Sequence, residues 1–274
     1  MKVVSLIRHR EPYPWDAVEH GILAAGVSLH AAGDWDRDSA VVTWNAYGSA
    51  RAMGEACRAA GGTWVVLENG YIGRDKGYVA AGLGGWAGIE PIPDWISRVD
   101  GQRFERLGAT VHPWRMSGGE YILVLGQRGG SYSVLAMDNG WPEMILRQLR
   151  EMTDAKLVYR PHPGRAIVPS NLPANCVIDS STPLVDLLGK ALATVVWTSN
   201  GATESILHGV PVYYCGPSIA VKELAAAGIA SIFGMRFCPV REPILHQLAW
   251  RQFRADEWCS GWAWKVMTGR VPPV

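Results

Sequence analysis

Short apolar runs alternate with amphipathic stretches along the whole chain, which is typical of parallel β-strands joined by crossover helices. In the first part of the chain this pattern predicts three strands and two helices. The strands are expected at Val3 to Ile7, Ala40 to Trp44 and Trp64 to Leu67, and the helices near Trp15 to Ala25 and Ser49 to Ala59. From Glu68 to Gly88 the residues are glycine-rich and aromatic without a clear period, and we expect a long functional loop there.

A second series of strands and helices begins at Tyr121. Strands are expected at Tyr121 to Leu125, Lys156 to Arg160, Cys176 to Ile178, Thr194 to Trp197 and Val212 to Tyr214, and helices at Pro142 to Met152, Leu184 to Ala191, Ala202 to His208 and Val221 to Ala227. The pattern therefore predicts the α/β class, with two Rossmann-like units in tandem that face a central cleft.

The predicted domains are residues 1–118, residues 119–242 and a C-terminal segment 243–274, with the first boundary near Ser117-Gly118-Gly119. The C-terminal segment is helical in pattern and rich in Trp and Arg. We expect it to pack back across both units.

Composition and charge narrow the class of protein. The 274 residues are 48% hydrophobic, which is ample for the packed cores of a globular protein. The 26 basic and 25 acidic residues leave a formal charge of +1, which argues against a strong non-specific nucleic-acid footprint. Five scattered cysteines without a C-x-x-C pair indicate neither a disulfide framework nor a zinc knuckle, so we expect a cytoplasmic protein.

The stretch Val195 to Val212 combines a buried strand, a polar turn, a short helix and the next strand. Ser199 and Asn200 are suited to cap the helix, and Gly201 lets a ligand approach the backbone. We expect free N–H groups of the first helical turn to attract a phosphate, and Glu204 to accept hydrogen bonds from sugar hydroxyls. A nucleotide sugar carries both groups.

A second polar motif, Arg160-Pro161-His162-Pro163, follows an apolar strand. The prolines stop the strand and fix the backbone, so Arg160 and His162 are expected at its carboxyl end, where open α/β sheets bind ligands. An arginine fork pairs with phosphate oxygens, and a histidine donates a hydrogen bond or a proton to a departing phosphate. The alternative is a rigid loop with a surface histidine.

The order of these motifs resembles the donor-binding half of GT-B glycosyltransferases. It comprises the Arg160-x-His162-Pro163 motif, the segment Asp179 to Leu188, the turn Thr198 to Glu204 and Gly209-Val-Pro-Val212. The resemblance covers about Tyr121 to Gly216 and is greatest to bacterial capsule-polysaccharide transferases and to related phage-encoded proteins.

The resemblance implies a nucleotide sugar, UDP- or CMP-linked, as co-substrate, with neither a further cofactor nor a bound metal. It places Gly126 and Gln127 near the donor phosphates and Arg160 and His162 in the family's R-x-H-P signature. It further implies that Ser199, Asn200, Gly201 and Thr203 bind the phosphate at the helix start. Glu204, one turn into the helix, would bind the ribose.

Two other sequence patterns give weaker indications of a ligand or metal site. Gly126-x-x-Gly129-Gly130 does not match G-x-G-x-x-G, so a dehydrogenase is not expected, and a flexible turn remains the alternative to a ligand role. Asp34-Trp35-Asp36 meets a D-x-D pattern of metal-dependent transferases, but we interpret Asp34, Asp36 and Asp38 as a solvated loop.

Activation of an acceptor hydroxyl needs a base, and two residues at predicted strand ends are candidates. His9 is the first choice, because the ordinary pKa of a histidine suits proton removal at neutral pH, and Glu68 is the second. The alternative for both is a helix cap or a solvated loop. The aromatic and basic residues of the following loop are candidates for acceptor binding, with structural packing as the alternative; they are Tyr71, Arg74, Lys76 and Tyr78.

The acceptor is open at this point. A polysaccharide or a lipid-linked sugar follows from the capsule-type resemblance, and a hydroxymethylated pyrimidine in phage-type DNA, modified in the host cytoplasm, follows from the phage relatives.

Two functions other than sugar transfer also remain. Arg8-His9-Arg10-Glu11 resembles the R-H-G-E opening of histidine phosphatases, with Arg10 in place of the glycine, and a non-enzymatic nucleotide- or glycan-binding module is the other rival. The sequence does not indicate an oligomeric state.

Overall fold

The computed structural model describes residues 1–7, 15–30, 35–44, 46, 48–84, 94–129, 137–234 and 239–270. The chain divides into two compact units, one formed by Met1–Gly108 with Leu245–Val274 and the other by Ala109–Ile244. The second unit thus begins before the predicted boundary near Ser117. The C-terminal segment from Leu245 belongs to the first unit.

The strands and helices of the described residues alternate along most of the chain. The strands are β1 Lys2–Ser5, β2 Ser28–Leu29, β3 Ser39–Trp44, β4 Thr63–Asn69, β5 Val79–Leu83, β6 Tyr121–Leu125, β7 Lys156–Arg160, β8 Cys176–Ile178, β9 Ala191–Val196, β10 Val212–Tyr214, β11 Ala226–Ala227 and β12 Gln252–Phe253. The helices are α1 Trp15–Ala24, α2 Gly48–Ala59, α3 Gln102–Leu107, α4 Trp141–Met152, α5 Leu184–Lys190, α6 Gly201–Leu207, α7 Glu242–Ala249, α8 Ala255–Cys259 and α9 Trp262–Met267.

The first unit contains a six-stranded sheet in the order β12-β5-β4-β3-β1-β2. Strands β1 to β4 are parallel, whereas β5 runs antiparallel to β4 and β12 antiparallel to β5. The prediction of one long loop from Glu68 to Gly88 is therefore wrong, because β4 continues to Asn69 and β5 forms at Val79–Leu83. Alanine and glycine dominate β5, so its sequence lacks the β-branched signal that marks β1, β3 and β4.

The C-terminal segment completes this unit. It is largely helical, as predicted, but Gln252–Phe253 adds a short strand at the edge of the sheet. Phe253, Trp258 and Trp264 are buried in the same core as Val42 and Val65. Trp250 is also buried in this core, and Trp262 is half-buried against it.

The second unit contains a parallel six-stranded sheet in the order β11-β10-β9-β6-β7-β8. Four buried residues of α4 recur at helical spacing and pack on the central strands; they are Trp141, Ile145, Leu146 and Leu149. Together the units confirm the predicted α/β class with two Rossmann-like units.

One predicted helix is wrong. Residues Val221 to Ala227 form a single 3-10 turn at Lys222–Leu224 followed by the edge strand Ala226–Ala227, which pairs with β10. The run of alanines favoured a helix by intrinsic propensity, but pairing with the sheet decides the structure. None of the described helices is both long and apolar enough to cross a membrane.

Candidate functional site

Three neighbouring parallel strands of the second unit end at the same edge of the sheet. In the strand register Leu125 of β6 lies opposite Arg160 of β7 on one side and opposite Val196 of β9 on the other. The loops that begin at Gly126, Pro161 and Trp197 therefore leave the sheet side by side. The carboxyl edge of a parallel sheet is where open α/β folds bind ligands, so the predicted donor residues start from a suitable place.

Gly126 is required by the close approach of β6 and β7. A Cβ atom on Gly126 would lie 2.4 Å from the Tyr159 hydroxyl, and the Gly126 N–H donates to the Arg160 carbonyl at 2.8 Å. The glycine therefore has a packing reason, and its N–H is already bonded within the protein.

Gln127 links two of the three loops. Its Nε2 donates a hydrogen bond to Thr198 Oγ1, and only 4% of Gln127 and 7% of Thr198 are exposed. The amide thus fixes the loop after β6 to the loop after β9.

Arg160 has one hydrogen bond among the described residues. Its Nη1 donates to the Thr182 carbonyl, and none of the described carboxylates pairs with this half-buried guanidinium. The fork therefore keeps N–H donors that no described acceptor uses. Such a cation at the sheet edge is suited to bind an anion.

The imidazole of His162 is held by the backbone of Gly164. Its Nδ1 lies 3.0 Å from the Gly164 N–H nitrogen and 2.8 Å from the Gly164 carbonyl oxygen. Because the N–H donates to a bare Nδ1 and the carbonyl accepts from a protonated one, the ring keeps its orientation in either tautomer. His162 is half-buried and lies two residues after Arg160.

The turn before α6 differs from its prediction. The N–H of Gly201 donates to Ser199 Oγ at 3.2 Å, that of Ala202 to the Ser199 carbonyl at 3.1 Å, and that of Thr203 to the Asn200 carbonyl at 2.9 Å. The expectation of free N–H groups is wrong for these three, because the turn satisfies them internally.

Two of the predicted donor-binding residues in this turn are buried. A Cβ atom on Gly201 would lie 2.6 Å from Leu125 Cδ1, and Thr203 is fully buried with its hydroxyl bonded to Asn200 Oδ1 at 3.3 Å. Their burial argues against direct contact with a donor. Ser199, Asn200 and Glu204 are half-buried.

Of the two candidate bases, Glu68 lies within the described residues and belongs to the first unit. It lies near the end of β4, and the Tyr71 hydroxyl donates to its Oε2 at 3.3 Å. Burial raises the pKa of Glu68 from 4.5 to about 7, against the opposing effects of the Tyr71 hydrogen bond and the Arg251 charge. His9, the other candidate, lies outside the described residues, as do the neighbouring residues of the phosphatase-like motif.

Two of the predicted acceptor-binding residues make hydrogen bonds within their own unit. Tyr71 is 5% exposed, and its N–H donates to Gln252 Oε1 at 2.8 Å, so its ring is a packing residue and not an open stacking surface. Lys76 Nζ donates to the Leu107 carbonyl at the end of α3, at 2.6 Å. Tyr78 is half-buried, and the side chain of Arg74 lies outside the described part.

The aspartates after β2 agree with the solvated-loop interpretation. The carboxylate of Asp36 accepts from Ser39 Oγ at 2.7 Å and from the Asp38 N–H at 2.9 Å, while Asp34 lies outside the described residues. In the described part of the chain no three His, Cys, Asp or Glu residues are grouped to hold a metal ion.

Sequence reasoning missed the roles of Asp179 and Thr182. Thr182 provides the carbonyl that holds Arg160, and the carboxylate of Asp179 accepts from the Thr182 N–H at 2.9 Å. An Asp followed by Ser and Thr directly after a strand is a turn signature that could have indicated this arrangement.

No protein-family model matches the chain, and no curated protein matches it in sequence. Two solved structures from Thermosulfurimonas dismutans are similar in fold. The KpsC beta Kdo 2,4 transferase gives a TM-score of 0.58 at 16% identity, over 89% of this chain and 89% of that one. The KpsC beta Kdo 2,7 transferase gives 0.59 at 17% identity, over 94% of this chain and 97% of that one. The chain therefore shares the GT-B-like fold of these transferases.

Proposed function

We propose that this protein is a glycosyltransferase that moves a sugar from a nucleotide-sugar donor to an acceptor hydroxyl. The observation that carries the proposal is the half-buried Arg160 guanidinium at the carboxyl edge of the second sheet, held by one carbonyl and paired with none of the described carboxylates. The similarity in fold to two sugar transferases supports the same conclusion.

The reacting bond is that between the sugar and the donor phosphate. As it breaks, negative charge grows on the leaving phosphate, and the attraction of Arg160 and of a protonated or N–H-donating His162 grows with it. These groups therefore stabilise the transition state more than the bound donor, which is the requirement for catalysis. During this step the hydrogen bond from Gln127 to Thr198 keeps the loops after β6 and β9 in place.

The positive charge for this step comes from the protein in our proposal, and a bound metal ion is not needed. Full sugar transfer after treatment with a chelator is the expected result. Loss of transfer that returns on addition of Mg²⁺ or Mn²⁺ would contradict this part of the proposal.

The acceptor hydroxyl loses a proton during transfer, and we propose His9 or Glu68 as the base. A pKa of about 7 lets Glu68 accept a proton at neutral pH while still releasing it between turnovers. The variants His9→Asn and Glu68→Gln separate the two, because only the variant of the true base should lose turnover while it keeps donor affinity.

Two acceptors remain proposals, a glycan and a hydroxymethylated pyrimidine in DNA. Binding to duplex DNA that weakens steeply between 50 and 200 mM salt, by factors of roughly 10³ or more for several phosphate contacts, would favour DNA. Transfer to an oligosaccharide without any DNA binding would favour the glycan.

The donor proposal is tested by thermal unfolding in a panel of UDP- and CMP-linked sugars and the free nucleotides. A ligand that binds only the folded protein raises Tm, by an amount that corresponds to about 2.7 kcal/mol at one hundred times Kd. We expect one donor to raise Tm, the effect to disappear in Arg160→Ala, and Arg147→Ala to behave as the wild type, because Arg147 is an exposed arginine of α4. If no nucleotide sugar shifts Tm and none is consumed, the proposal fails.

A further inference from the structure

The turn between β8 and α5 is organised around one carboxylate. Asp179 continues the strand ladder, since its N–H donates to the Tyr159 carbonyl at 2.9 Å. Its Oδ1 accepts from the Ser181 N–H at 3.1 Å and the Thr182 N–H at 2.9 Å, and its Oδ2 accepts from Thr182 Oγ1 at 2.8 Å. The Ser181 hydroxyl adds a longer contact of 3.4 Å to Oδ1.

This arrangement fixes Thr182 from both sides. Asp179 holds its N–H and its hydroxyl, and Pro183, the N-cap residue of α5, follows it. Because a residue before proline is restricted to extended backbone angles, the direction of the Thr182 carbonyl is also restricted. That carbonyl accepts the Arg160 hydrogen bond.

Arg160 depends on this single acceptor among the described residues. An arginine side chain loses considerable rotamer freedom when it is fixed on a ligand, and fixing it beforehand removes part of that loss from the binding step. Asp179 makes no hydrogen bond or ion pair with Arg160, but it determines where the acceptor of Arg160 lies.

We propose that Asp179 is a positioning residue for sugar transfer, which holds the Thr182 carbonyl so that the Arg160 guanidinium is ordered before the donor phosphate arrives. This inference rests on the proposed function for its effect on transfer. Its structural part, the ordering of Arg160, stands without that function.

The ionised form of Asp179 suits this role. Hydrogen bonds from the Thr182 N–H and hydroxyl, followed by those from Ser181, lower the pKa of Asp179 below its ordinary value. The carboxylate therefore stays charged at neutral pH. An asparagine at this position keeps one oxygen for the two N–H groups and turns its amide toward the Thr182 hydroxyl, so Asp179→Asn is the conservative variant.

The test is a double-mutant cycle with Asp179→Ala, Arg160→Ala and the double variant, measured as kcat/KM for the donor and as Tm. Removal of a hydrogen-bond donor that stabilises the charge developing in the transition state lowers turnover by about 10² to 10³. We expect a loss in that range for Arg160→Ala. We expect a roughly tenfold loss for Asp179→Ala in the wild-type background and no further loss in the Arg160→Ala background, since contacts that act through one another are not additive. Asp179→Asn should restore most of the rate.

The matched control is Asp186→Ala, which removes an exposed carboxylate from the first turn of α5. It should leave kcat/KM unchanged. Thr182→Val keeps the carbonyl and loses only the hydroxyl, so a loss smaller than that of Asp179→Ala is expected, and it serves if Asp179→Ala fails to fold.

A second readout follows the geometry directly. The Nε–H order parameter of Arg160, measured by NMR relaxation, should fall in Asp179→Ala and stay at the wild-type value in Asp186→Ala. An unchanged order parameter, or equal losses of kcat/KM in both backgrounds, overturns the positioning role. If the wild type transfers no sugar from any donor while the order parameter still falls, the proposed function fails and the ordering of Arg160 stands.

Discussion

Arg103 and Glu257 form a two-pronged ion pair inside the first unit, with Nη1 to Oε1 at 2.6 Å and Nη2 to Oε2 at 2.8 Å. The same guanidinium donates to the carbonyls of Ala249 and Gln252 and lies against the ring of Phe253 at 5.0 Å. Through these contacts α3 holds the C-terminal segment.

We expect Arg103→Met to lower the free energy of unfolding by roughly 3–5 kcal/mol, because it leaves the largely buried Glu257 carboxylate without its guanidinium partner. Urea unfolding followed by tryptophan fluorescence measures this. Arg254→Ala breaks the exposed pair with Asp256 and should cost at most about 1 kcal/mol. Equal losses in the free energy of unfolding for the two substitutions would mean that the buried pair stabilises the fold no more than the exposed pair does.

Gly126→Ala is expected to destabilise the second unit, since its Cβ atom would lie 2.4 Å from the Tyr159 hydroxyl. The fully buried Tyr159 side chain must shift to relieve this overlap, and overpacking of this kind costs typically 1–3 kcal/mol. Thermal unfolding provides the measurement. Gly189→Ala in α5 is the control, because nothing lies within 4 Å of its Cβ position. That control should be neutral or stabilising by up to about 1 kcal/mol.

The raised pKa of Glu68 predicts a pH-dependent stability. The folded protein holds this proton more tightly than the unfolded chain, so the stabilisation is fully present below 4.5 and is lost as the pH rises through about 7. Urea unfolding between pH 4 and 8 should show this decrease in the wild type and a smaller one in Glu68→Gln. The exposed Glu55→Gln should keep the wild-type profile, and an identical profile for Glu68→Gln would contradict the shift.

Arg251 tests the cause of that pKa. Its charge favours the ionised form of Glu68, so Arg251→Met should move the midpoint of the pH profile upward. The hydrogen bond from Tyr71 acts in the same direction, and Tyr71→Phe should therefore shift the midpoint upward as well. A downward shift in either variant would refute this account.

His162→Ala should lower the rate of sugar transfer by about 10²-fold while changing Tm little, because its role is proposed to lie in the departure of the nucleotide. The contacts described above bond the half-buried ring to the backbone of Gly164, two residues away. Steady-state kinetics and thermal unfolding on the same preparation separate the two effects. A drop in Tm without a drop in kcat would assign His162 a structural role.

The fold was largely predictable because its strands carry the strong signals of β-branched and buried residues. Tyr121–Leu125 and Lys156–Arg160 match their predicted bounds. Two of the misses have a common cause, since Val79–Leu83 and Ala226–Ala227 are alanine-rich strands fixed by pairing with distant or neighbouring strands. Pairing of that kind leaves little trace in the local sequence.

The candidate site was predictable in part. The register of β6, β7 and β9 brings the loops after Leu125, Arg160 and Val196 to one edge, and the family resemblance had implied a shared donor-binding role for these loops. What the sequence does not reveal is which polar groups are already satisfied by the protein, such as the N–H groups of Gly201 and Thr203. These depend on turn geometry that several sequences adopt equally well.

The edge strand at Gln252–Phe253 has a consequence for how the protein forms on the ribosome. The second unit is one continuous stretch of chain, Ala109–Ile244, and can close as soon as that stretch has emerged. The first unit begins earlier in synthesis yet must wait for residues beyond 245 before its sheet gains the last strand and its tryptophan core. The first unit thus starts to be made before the second unit but completes its fold after it. Until β12 has paired with β5, the backbone edge of β5 is unpaired, and newly made chains can aggregate there.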